Sequence, residues 1–312
     1  MPLNRTLSEE FAAVTQGRVR FNEPMRLHTT LHVGGPAEIW AEPRDVEELR
    51  ALLKLAREAG LPVTAIGGGA NLLIWDDGIP GLVVHLGHFG FQQCVRTDEG
   101  LSAGAGLPLE WLIRRAEQEG VSGVEFLAGV PGRVGGAVRM NAGTHDDEGK
   151  LHSFSDVVRS IRTVDLEGRL ESIPSEQIGF AYRSSGLAGR IVVEAQLRLV
   201  PDDKNRIAER VKRLWEFKRR TQDWSAPSAG CIFKNPPGGQ AAGWLIDRAG
   251  MKGFQIGGAR VSTVHSNFMI NTGSAKAADI FALIEEVRAR VRRQFGVELE
   301  LEVQVHPREG HA

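Results

Sequence analysis

The chain has 312 residues, of which 42% are hydrophobic and 25% are charged, and its 38 basic and 39 acidic side chains leave a net charge of −1. This length is typical of two or three domains with a substantial core. The neutral balance excludes a global basic field, so we expect no nucleic-acid partner. No apolar run approaches membrane-spanning length, and no membrane association is expected.

Alternating strands and helices are predicted through the first part of the chain. The first long helix begins near Asp45 and ends at Gly60, and its apolar residues keep helical spacing. The strand–helix–strand order indicates an α/β unit. The predicted elements are a capping segment at 1–20, strands at 37–41, 61–66, 82–86 and 101–105, and a second helix at 108–119.

Gly67, Gly68, Gly69, Ala70 and Asn71 directly follow one of these strands. Several free backbone N–H groups after a strand form a concave anion site, which suits a pyrophosphate. The spacing matches neither the G-x-G-x-x-G dinucleotide fingerprint nor a P-loop. Taken alone, this loop is equally compatible with a plain turn.

A second glycine-rich segment occupies 128–137. Gly132, Gly135 and Gly136 are again expected to expose backbone donors, because glycine lets a backbone approach a ligand closely. Two such segments in one domain suit a long cofactor that contains a diphosphate better than they suit two unrelated turns.

Tyr182 and Arg183 lie between predicted strands at 169–173 and 190–200, and a further strand is predicted at 157–165. Arginine presents a planar fork that suits a carboxylate or a phosphate. The alternative is a surface arginine beside a tyrosine.

A predicted boundary at 201–203 divides the chain into a first domain at 1–202, with lobes at about 1–90 and 91–202, and a second domain at 203–312. The basic helix at the start of the second domain could meet nucleic acid, but the neutral net charge favours a solvated face. The last segment alternates apolar residues with Glu298, Glu300, Glu302 and Gln304, which predicts a strand with one wet face. The predicted elements are helices at 205–220, 241–249 and 274–295, and strand regions at 261–271 and 297–305.

The stretch 227–236, Pro-Ser-Ala-Gly-Cys-Ile-Phe-Lys-Asn-Pro, combines turn residues with a thiol, a cation and an amide. Cys231 follows Gly230, and a thiol held beside such a glycine could give or take a proton. Lys234 and Asn235 follow a short apolar strand. The alternative is an ordinary loop with a buried cysteine.

Cys94 and Cys231 are the two cysteines of the chain, and they lie far apart in sequence. They form neither a metal-spaced pair nor a disulfide framework, and no ligand cluster indicates a metal. Free thiols are typical of a reducing compartment, which predicts a cytoplasmic protein.

In their joint order these segments resemble the UDP-N-acetylenolpyruvoylglucosamine reductase (MurB) family, flavoenzymes of bacterial peptidoglycan synthesis. The resemblance covers about residues 26–305. Only a few residues separate Pro236 from Gly243, so the chain is similar to the shorter form, which lacks a tyrosine-bearing loop. The matching motifs are Thr30 with Val33, Gly34 and Gly35, then 67–73, 129–132, 135–137, 182–183, 230–236, 243–247, 265–268 and 301–303.

The resemblance implies an α+β fold class, with a two-lobed FAD-binding domain of the vanillyl-alcohol-oxidase (PCMH) type and a C-terminal α+β substrate-binding domain. We expect a monomer that acts on a small-molecule substrate. The implied FAD contacts are Gly67, Gly68, Gly69, Ala70, Asn71, Leu72, Gly129, Val130, Pro131, Gly132, Gly135, Gly136, Ala137 and Arg183.

The implied reaction is the NADPH-dependent reduction of UDP-N-acetylglucosamine enolpyruvate to UDP-N-acetylmuramate. Flavin N5 would deliver a hydride to C3, and a general acid would protonate C2. Arg183 and Glu302 match the family's catalytic positions and suit stabilisation of charge on the substrate carboxylate. Cys231 stands where better-known members have the serine proton donor. A thiol, with an ordinary pKa of about 8.5, is mostly protonated at neutral pH, so we expect Cys231 to be the proton donor.

Substrate contacts are expected from Tyr182, Lys234, Asn235, Lys252 and His265. For His265, a hydrogen-bonded core histidine is an equal alternative. Two further departures from the family pattern are Arg133, where a small hydroxyl residue is usual, and Gln304, where some members have arginine.

Two other functions remain open from the sequence. The first is another flavin oxidase on the same scaffold, which would use oxygen and for which His28 or His32 could be proposed as a covalent flavin attachment. The second is a nucleotide-sugar binding protein without catalysis. The joint presence of Arg183, Glu302 and Cys231 speaks against the second.

Overall fold

The computed structural model describes residues 5–146 and 148–306. The chain divides into two compact units: unit 1 comprises Met1–Asn22, Glu38–Gly68 and Pro80–Phe217, and unit 2 comprises Glu23–Ala37, Gly69–Ile79 and Lys218–Ala312. Unit 2 therefore draws on two short N-terminal segments as well as the C-terminal third of the chain. The sequence-based boundary between 202 and 203 stays a prediction.

Helices and strands both occur throughout the described residues. The α-helices are α1 (Arg5–Val14), α2 (Val46–Glu58), α3 (Leu109–Glu119), α4 (Val134–Arg139), α5 (Lys204–Thr221), α6 (Ala242–Arg248) and α7 (Ala277–Phe295). The strands are β1 (Val19–Pro24), β2 (Pro36–Ala41), β3 (Val63–Ile66), β4 (Leu72–Ile74), β5 (Ile79–His85), β6 (Cys94–Thr97), β7 (Gly100–Gly104), β8 (Val121–Ser122), β9 (Gly143–His145), β10 (Leu151–Ser153), β11 (Val158–Asp165), β12 (Leu170–Pro174), β13 (Arg190–Arg198), β14 (Val200–Pro201), β15 (Ser228–Cys231), β16 (Gln255–Ile256), β17 (Ala259–Val261), β18 (Phe268–Asn271) and β19 (Gln304–His306).

Unit 1 contains two larger sheets around one apolar core. One sheet has the order β1-β2-β5-β3, with β3 and β5 parallel, and the other is an antiparallel sheet in the order β12-β11-β13-β7-β6. Helix α2 begins at a side-chain cap, because Asp45 Oδ1 accepts a hydrogen bond from Glu48 N at 2.9 Å. Its apolar stripe, which includes Leu49 and Leu52, is fully buried in this core.

Unit 2 is built on the antiparallel sheet β15-β18-β17-β16 and the long helix α7. The start of α7 is capped by a residue far away in sequence, since the Asp76 carboxylate accepts hydrogen bonds from Ala277 N at 2.9 Å and Ala278 N at 3.1 Å. The parallel pair of β4 and β19 ties the same N-terminal segment to the end of the chain. Ile280, Ile284 and Val287 of α7 are buried in the core of unit 2.

The helices predicted at 108–119, 205–220 and 274–295 are confirmed to within a few residues at their ends. Helix α4, which overlaps the end of the second glycine segment, was not predicted, because glycines disfavour helix interiors. The strand region predicted at 261–271 is wrong in its middle. There Ser262 Oγ accepts hydrogen bonds from Val264 N at 3.0 Å and His265 N at 3.1 Å, which makes a turn between β17 and β18.

The predicted strand at 297–305 is also wrong in extent, since regular pairing is confined to Gln304–His306. The alternation still describes burial, with Leu299 and Val303 buried and Glu298 and Glu300 exposed. The backbone before Gln304 bonds instead to an irregular set of partners around 232–234 and Asn71, so no regular ladder forms there. No helix among residues 5–146 and 148–306 combines the length and the apolar character needed to cross a membrane.

The buried Lys218, near the end of α5, should make the free energy of unfolding rise with pH above pH 8. It is only 2% exposed, and burial lowers the pKa of its ammonium group to about 8. The cost of burying this charge is full below pH 8 and disappears as the pH rises toward the unfolded pKa near 10.4. We expect this lysine to raise the free energy of unfolding by about 1 kcal/mol between pH 8 and pH 9, with a limiting slope of about 1.4 kcal/mol per pH unit.

Urea unfolding at pH 8 and pH 9 measures this rise. Lys218→Met should abolish it, whereas Lys212→Met, at an exposed position of the same helix, should preserve it. Cys94 acts in the opposite direction, because burial raises the pKa of its thiol to about 11 while the unfolded thiol ionises near its ordinary pKa of about 8.5. Comparison of the wild type with Lys218→Met cancels this contribution, since both proteins keep Cys94. Equal slopes in the wild type and in Lys218→Met would contradict the prediction.

Candidate active site

The start of the first glycine segment lies beside the second glycine segment in unit 1. A Cβ atom added to Gly68 would lie 3.1 Å from Gly132 Cα, and one added to Gly67 would lie 3.8 Å from Gly136 Cα. Side chains at Gly68 would therefore force the two backbones apart. Within the described part of the chain, the N–H groups of Gly67, Gly68, Gly132 and Gly136 donate no hydrogen bond.

This arrangement fits a diphosphate. Backbone N–H groups without protein partners, on two adjacent glycine segments, form a concave surface that favours anionic oxygens. Gly135 is the exception among the predicted donors, since its N–H donates to Ala105 O at 2.9 Å. The Arg133 guanidinium donates to the Gly106 carbonyl, and burial acts to lower its pKa. Arg133 lies in the second glycine segment, and its guanidinium is held by a carbonyl of the same unit.

Tyr182 and Arg183 occupy a tight turn in unit 1. Ala181 and Ser184 exchange backbone hydrogen bonds at 3.1 and 3.2 Å, and Arg183 has a left-handed φ of 56°. The Arg183 Cζ lies 5.0 Å from the centroid of the Tyr182 ring, and a Cβ added to Gly143 would lie 3.1 Å from Arg183 Nη1. The guanidinium is therefore placed between an aromatic face and a strand that has no side chain at this point.

Asn141, which lies just beyond the second glycine segment, holds this turn. Its Nδ2 donates to Ala181 O at 3.1 Å, and its Oδ1 accepts from Ser155 N at 2.9 Å. Asn141 is buried and has a left-handed φ of 42°. Asparagine tolerates this backbone region better than most residues. An asparagine just after a glycine segment is therefore the sequence signal that could have indicated a residue that holds the turn.

Cys231 and Glu302 are brought together in unit 2 although 70 residues separate them. The carbonyl of Ile232 accepts hydrogen bonds from Glu302 N at 2.8 Å and from Val303 N at 3.3 Å. Cys231 ends β15, pairs with Phe268 of β18, is half-buried and is not part of a disulfide. Its strand and the segment that carries Glu302 are therefore direct neighbours.

The end of the first glycine loop joins the same framework. Asn71 Nδ2 donates to Glu302 O at 3.0 Å, and Gln304 N donates to Asn71 O at 2.9 Å. Leu72, predicted as a cofactor contact, begins β4 and pairs with Gln304 of β19. Asn71 thus fixes the backbone at Glu302 from one side, as Ile232 does from the other.

The predicted substrate residues of unit 2 have distinct local roles. Lys234 Nζ lies 3.6 Å from the exposed Glu300 carboxylate, and Lys252 Nζ lies 2.9 Å from Asp247 Oδ2. Asn235 Oδ1 accepts from Ala242 N at 3.0 Å, so it caps α6. The two lysines are in partly exposed ion pairs, which a more strongly charged ligand could replace.

His265 carries an imidazole suited to a ligand. Its Nδ1 atom is buried and has no hydrogen-bond partner within the residues that the structure describes. Burial lowers the pKa of the ring, and the charge of Lys252 lowers it further, so the neutral form is favoured. Both interpretations of His265, a substrate contact and a hydrogen-bonded core histidine, stay predictions, because this observation concerns only Nδ1.

The turn that carries His265 is fixed by residues that the sequence did not single out. Ser262 Oγ donates to Asp223 Oδ2 at 2.6 Å while accepting the two backbone bonds of the turn. Burial acts to raise the pKa of Asp223, but hydrogen bonds from Ser225 and Ser262 outweigh it and leave the pKa lowered. His28 pairs with Glu23 at 2.7 Å. Across 5–146 and 148–306, no group of three or more His, Cys, Asp or Glu residues could hold a metal ion.

Two family models match the chain. Residues 222–306 match the C-terminal domain of UDP-N-acetylenolpyruvoylglucosamine reductase, and residues 37–173 match an FAD binding domain. The reductase of Heliobacterium modesticaldum is 43% identical over 93% of this chain and 91% of its own length. The chain belongs to the UDP-N-acetylenolpyruvoylglucosamine reductase family.

Further members of this reductase family agree in sequence and in structure. The reductase of Moorella thermoacetica is 43% identical over 92% of this chain and 93% of its own length. The crystal structure of the reductase (MurB) from Thermus caldophilus superposes with a TM-score of 0.77 at 36% identity, covering 93% of this chain and 98% of that one. The predicted family, α+β fold class, FAD cofactor and oxidoreductase activity in peptidoglycan synthesis are confirmed.

Proposed function

We propose that this protein reduces UDP-N-acetylglucosamine enolpyruvate to UDP-N-acetylmuramate with NADPH, through FAD, and that Cys231 is the proton donor. The observation that supports the proposal is the backbone contact of Ile232 with Glu302, which places the segment of Cys231 beside the segment of Glu302. Arg183 and Glu302 would stabilise charge that develops on the substrate carboxylate. Arg183 belongs to unit 1, and the other two belong to unit 2.

FAD, when bound, accepts a hydride from NADPH and supplies it to C3 of the enolpyruvyl group. The glycine segments around Gly68 and Gly132 would hold its diphosphate through their unpaired N–H groups. The C2=C3 π bond breaks as the C3–H bond forms, and its electrons move to C2 and the carboxylate. Cys231 then gives its proton to C2, and the resulting thiolate recovers a proton from solvent.

The proposed substrate-binding residues supply cations, a hydrogen-bond donor and aromatic groups. Lys234 and Lys252 supply partly exposed cations that suit a UDP diphosphate. Asn235 keeps its Nδ2 as a donor while its Oδ1 caps α6. The neutral imidazole of His265 and the phenol of Tyr182, which is 42% exposed, complete the set. We also propose a monomer, and a cytoplasmic reaction because neither cysteine is in a disulfide.

An anaerobic visible spectrum of the purified protein tests the function. NADPH should bleach the flavin band, and UDP-N-acetylglucosamine enolpyruvate should restore it without oxygen. NADH in a parallel cuvette measures the nucleotide preference. Bleaching that only oxygen reverses would overturn the proposal in favour of an oxidase. The absence of a protein-bound flavin band, after incubation with FAD and removal of free FAD, would favour a binding protein.

A further inference from the structure

Two adjacent threonines in unit 2 differ sharply in how their hydroxyl groups are satisfied. Thr29 is 3% exposed, and its Oγ1 donates to Val33 O at 2.8 Å. The Oγ1 of Thr30 is also buried, yet it has no hydrogen-bond partner anywhere in the described ranges. Valine has nearly the same shape as threonine and would avoid burying this polar atom, so the hydroxyl at Thr30 needs a reason.

The surroundings of Thr30 supply that reason. The Oγ1 of Thr163 is also buried without a partner in the described residues, but Thr163 is fully enclosed in the interior strand β11. Thr30 is only partly buried as a residue, and its N–H donates to Gly69 O at 3.2 Å. A Cβ added to Gly69 would lie 1.9 Å from the His28 carbonyl oxygen, so the backbone before Thr30 packs directly on the glycine loop.

Thr30 is also held to the framework that carries the proposed catalytic groups. Asn271 Nδ2 donates to the carbonyl of Leu31 at 3.1 Å, and Asn271 ends the strand that pairs with the strand of Cys231. The glycine loop that contacts Thr30 continues to Asn71, which bonds to Glu302. The unpartnered hydroxyl is thereby positioned by the same backbone that positions the reaction groups of unit 2.

We propose that the Thr30 hydroxyl is a hydrogen-bonding group for FAD, in addition to the glycine backbone. A hydroxyl can donate one hydrogen bond and accept two, so it can serve a phosphate oxygen or a polar edge of the flavin ring. This inference rests on the FAD site and not on the identity of the substrate. Its test therefore measures flavin binding and needs neither NADPH nor substrate.

The test compares FAD release from full-length holoprotein variants by serial dilution, with free flavin fluorescence as the readout. Thr30→Val should raise the dissociation constant for FAD by about tenfold, the usual worth of one good hydrogen bond. Thr30→Ser should stay within about threefold of the wild type, because it keeps the hydroxyl. Thr29→Val is the matched control: it should lower the unfolding temperature without weakening FAD binding.

Two further readings decide where on FAD the hydroxyl acts. Shifted absorption bands in FAD-saturated Thr30→Val would assign the bond to the flavin ring. Unchanged bands, with weaker competition by ADP, would assign it to the diphosphate. If Thr30→Val does not fold, Thr30→Ala against Thr30→Ser gives the same comparison. Equal FAD dissociation constants with and without the hydroxyl would overturn the proposal, whatever the reductase assay shows.

Discussion

Replacing Cys231 with alanine is expected to slow the reoxidation of reduced flavin by the enolpyruvyl substrate by roughly 10²–10⁴-fold. This corresponds to about 3–5 kcal/mol of barrier, because the reaction loses its proton donor at C2. Reduction of FAD by NADPH should keep its wild-type rate, since no proton from Cys231 enters that step. Anaerobic stopped-flow measurement of the two half-reactions separates these effects.

Two variants serve as controls for this experiment. Cys94→Ala removes the other thiol, which lies on β6 in unit 1 and whose pKa burial raises to about 11, and it should leave both half-reactions unchanged. Cys231→Ser restores a proton donor and should recover much of the rate. A wild-type reoxidation rate in Cys231→Ala would remove Cys231 from the mechanism.

Replacing Arg183 with lysine is expected to slow the same half-reaction by roughly 10²–10³-fold. Lysine keeps the positive charge but loses the planar fork that pairs with a carboxylate. The change also removes the contact of the guanidinium with the Tyr182 ring, so the side chain at this position is held less firmly. Stopped-flow reoxidation at saturating FAD measures the effect on chemistry apart from cofactor loss.

The matched control is Arg198→Lys, an exposed arginine on β13 in the same unit. It should change neither half-reaction, because it lies outside the turn at Arg183. A KM rise without a fall in the reoxidation rate of Arg183→Lys would assign Arg183 to substrate binding alone. An unchanged rate and KM would exclude it from the site.

The spacing of the proposed catalytic residues along the chain does not predict how they are arranged in the structure. Cys231 and Glu302 become neighbours through the carbonyl of Ile232, and Asn71 supports Glu302 from far earlier in the chain. Each such contact depends on which backbone groups remain unpaired after the sheets form. Sequence motifs indicated the residues one by one, through resemblance to a family, and left their roles as predictions.

Local periodicity decided much of the secondary structure, because the apolar faces of α2, α3, α5 and α7 follow helical spacing that any core would bury. Periodicity gave wrong strands where other hydrogen bonds replaced the regular pairing of a strand. Ser262 turns the chain inside a predicted strand, and irregular partners interrupt the predicted strand before Gln304. Periodicity reports burial, whereas a strand also requires a partner with free N–H and C=O groups in register.

By itself the sequence determined the family, the mixed α+β class and two separate glycine segments, since these depend on residue types in a fixed order. Only the tertiary structure decided that Gly68 packs on Gly132 and that Asp76 caps α7. It alone separated Thr29 from Thr30, whose side chains are chemically identical. The reason is that hydrogen-bond satisfaction belongs to pairs of groups, and most of these pairs are distant in the chain.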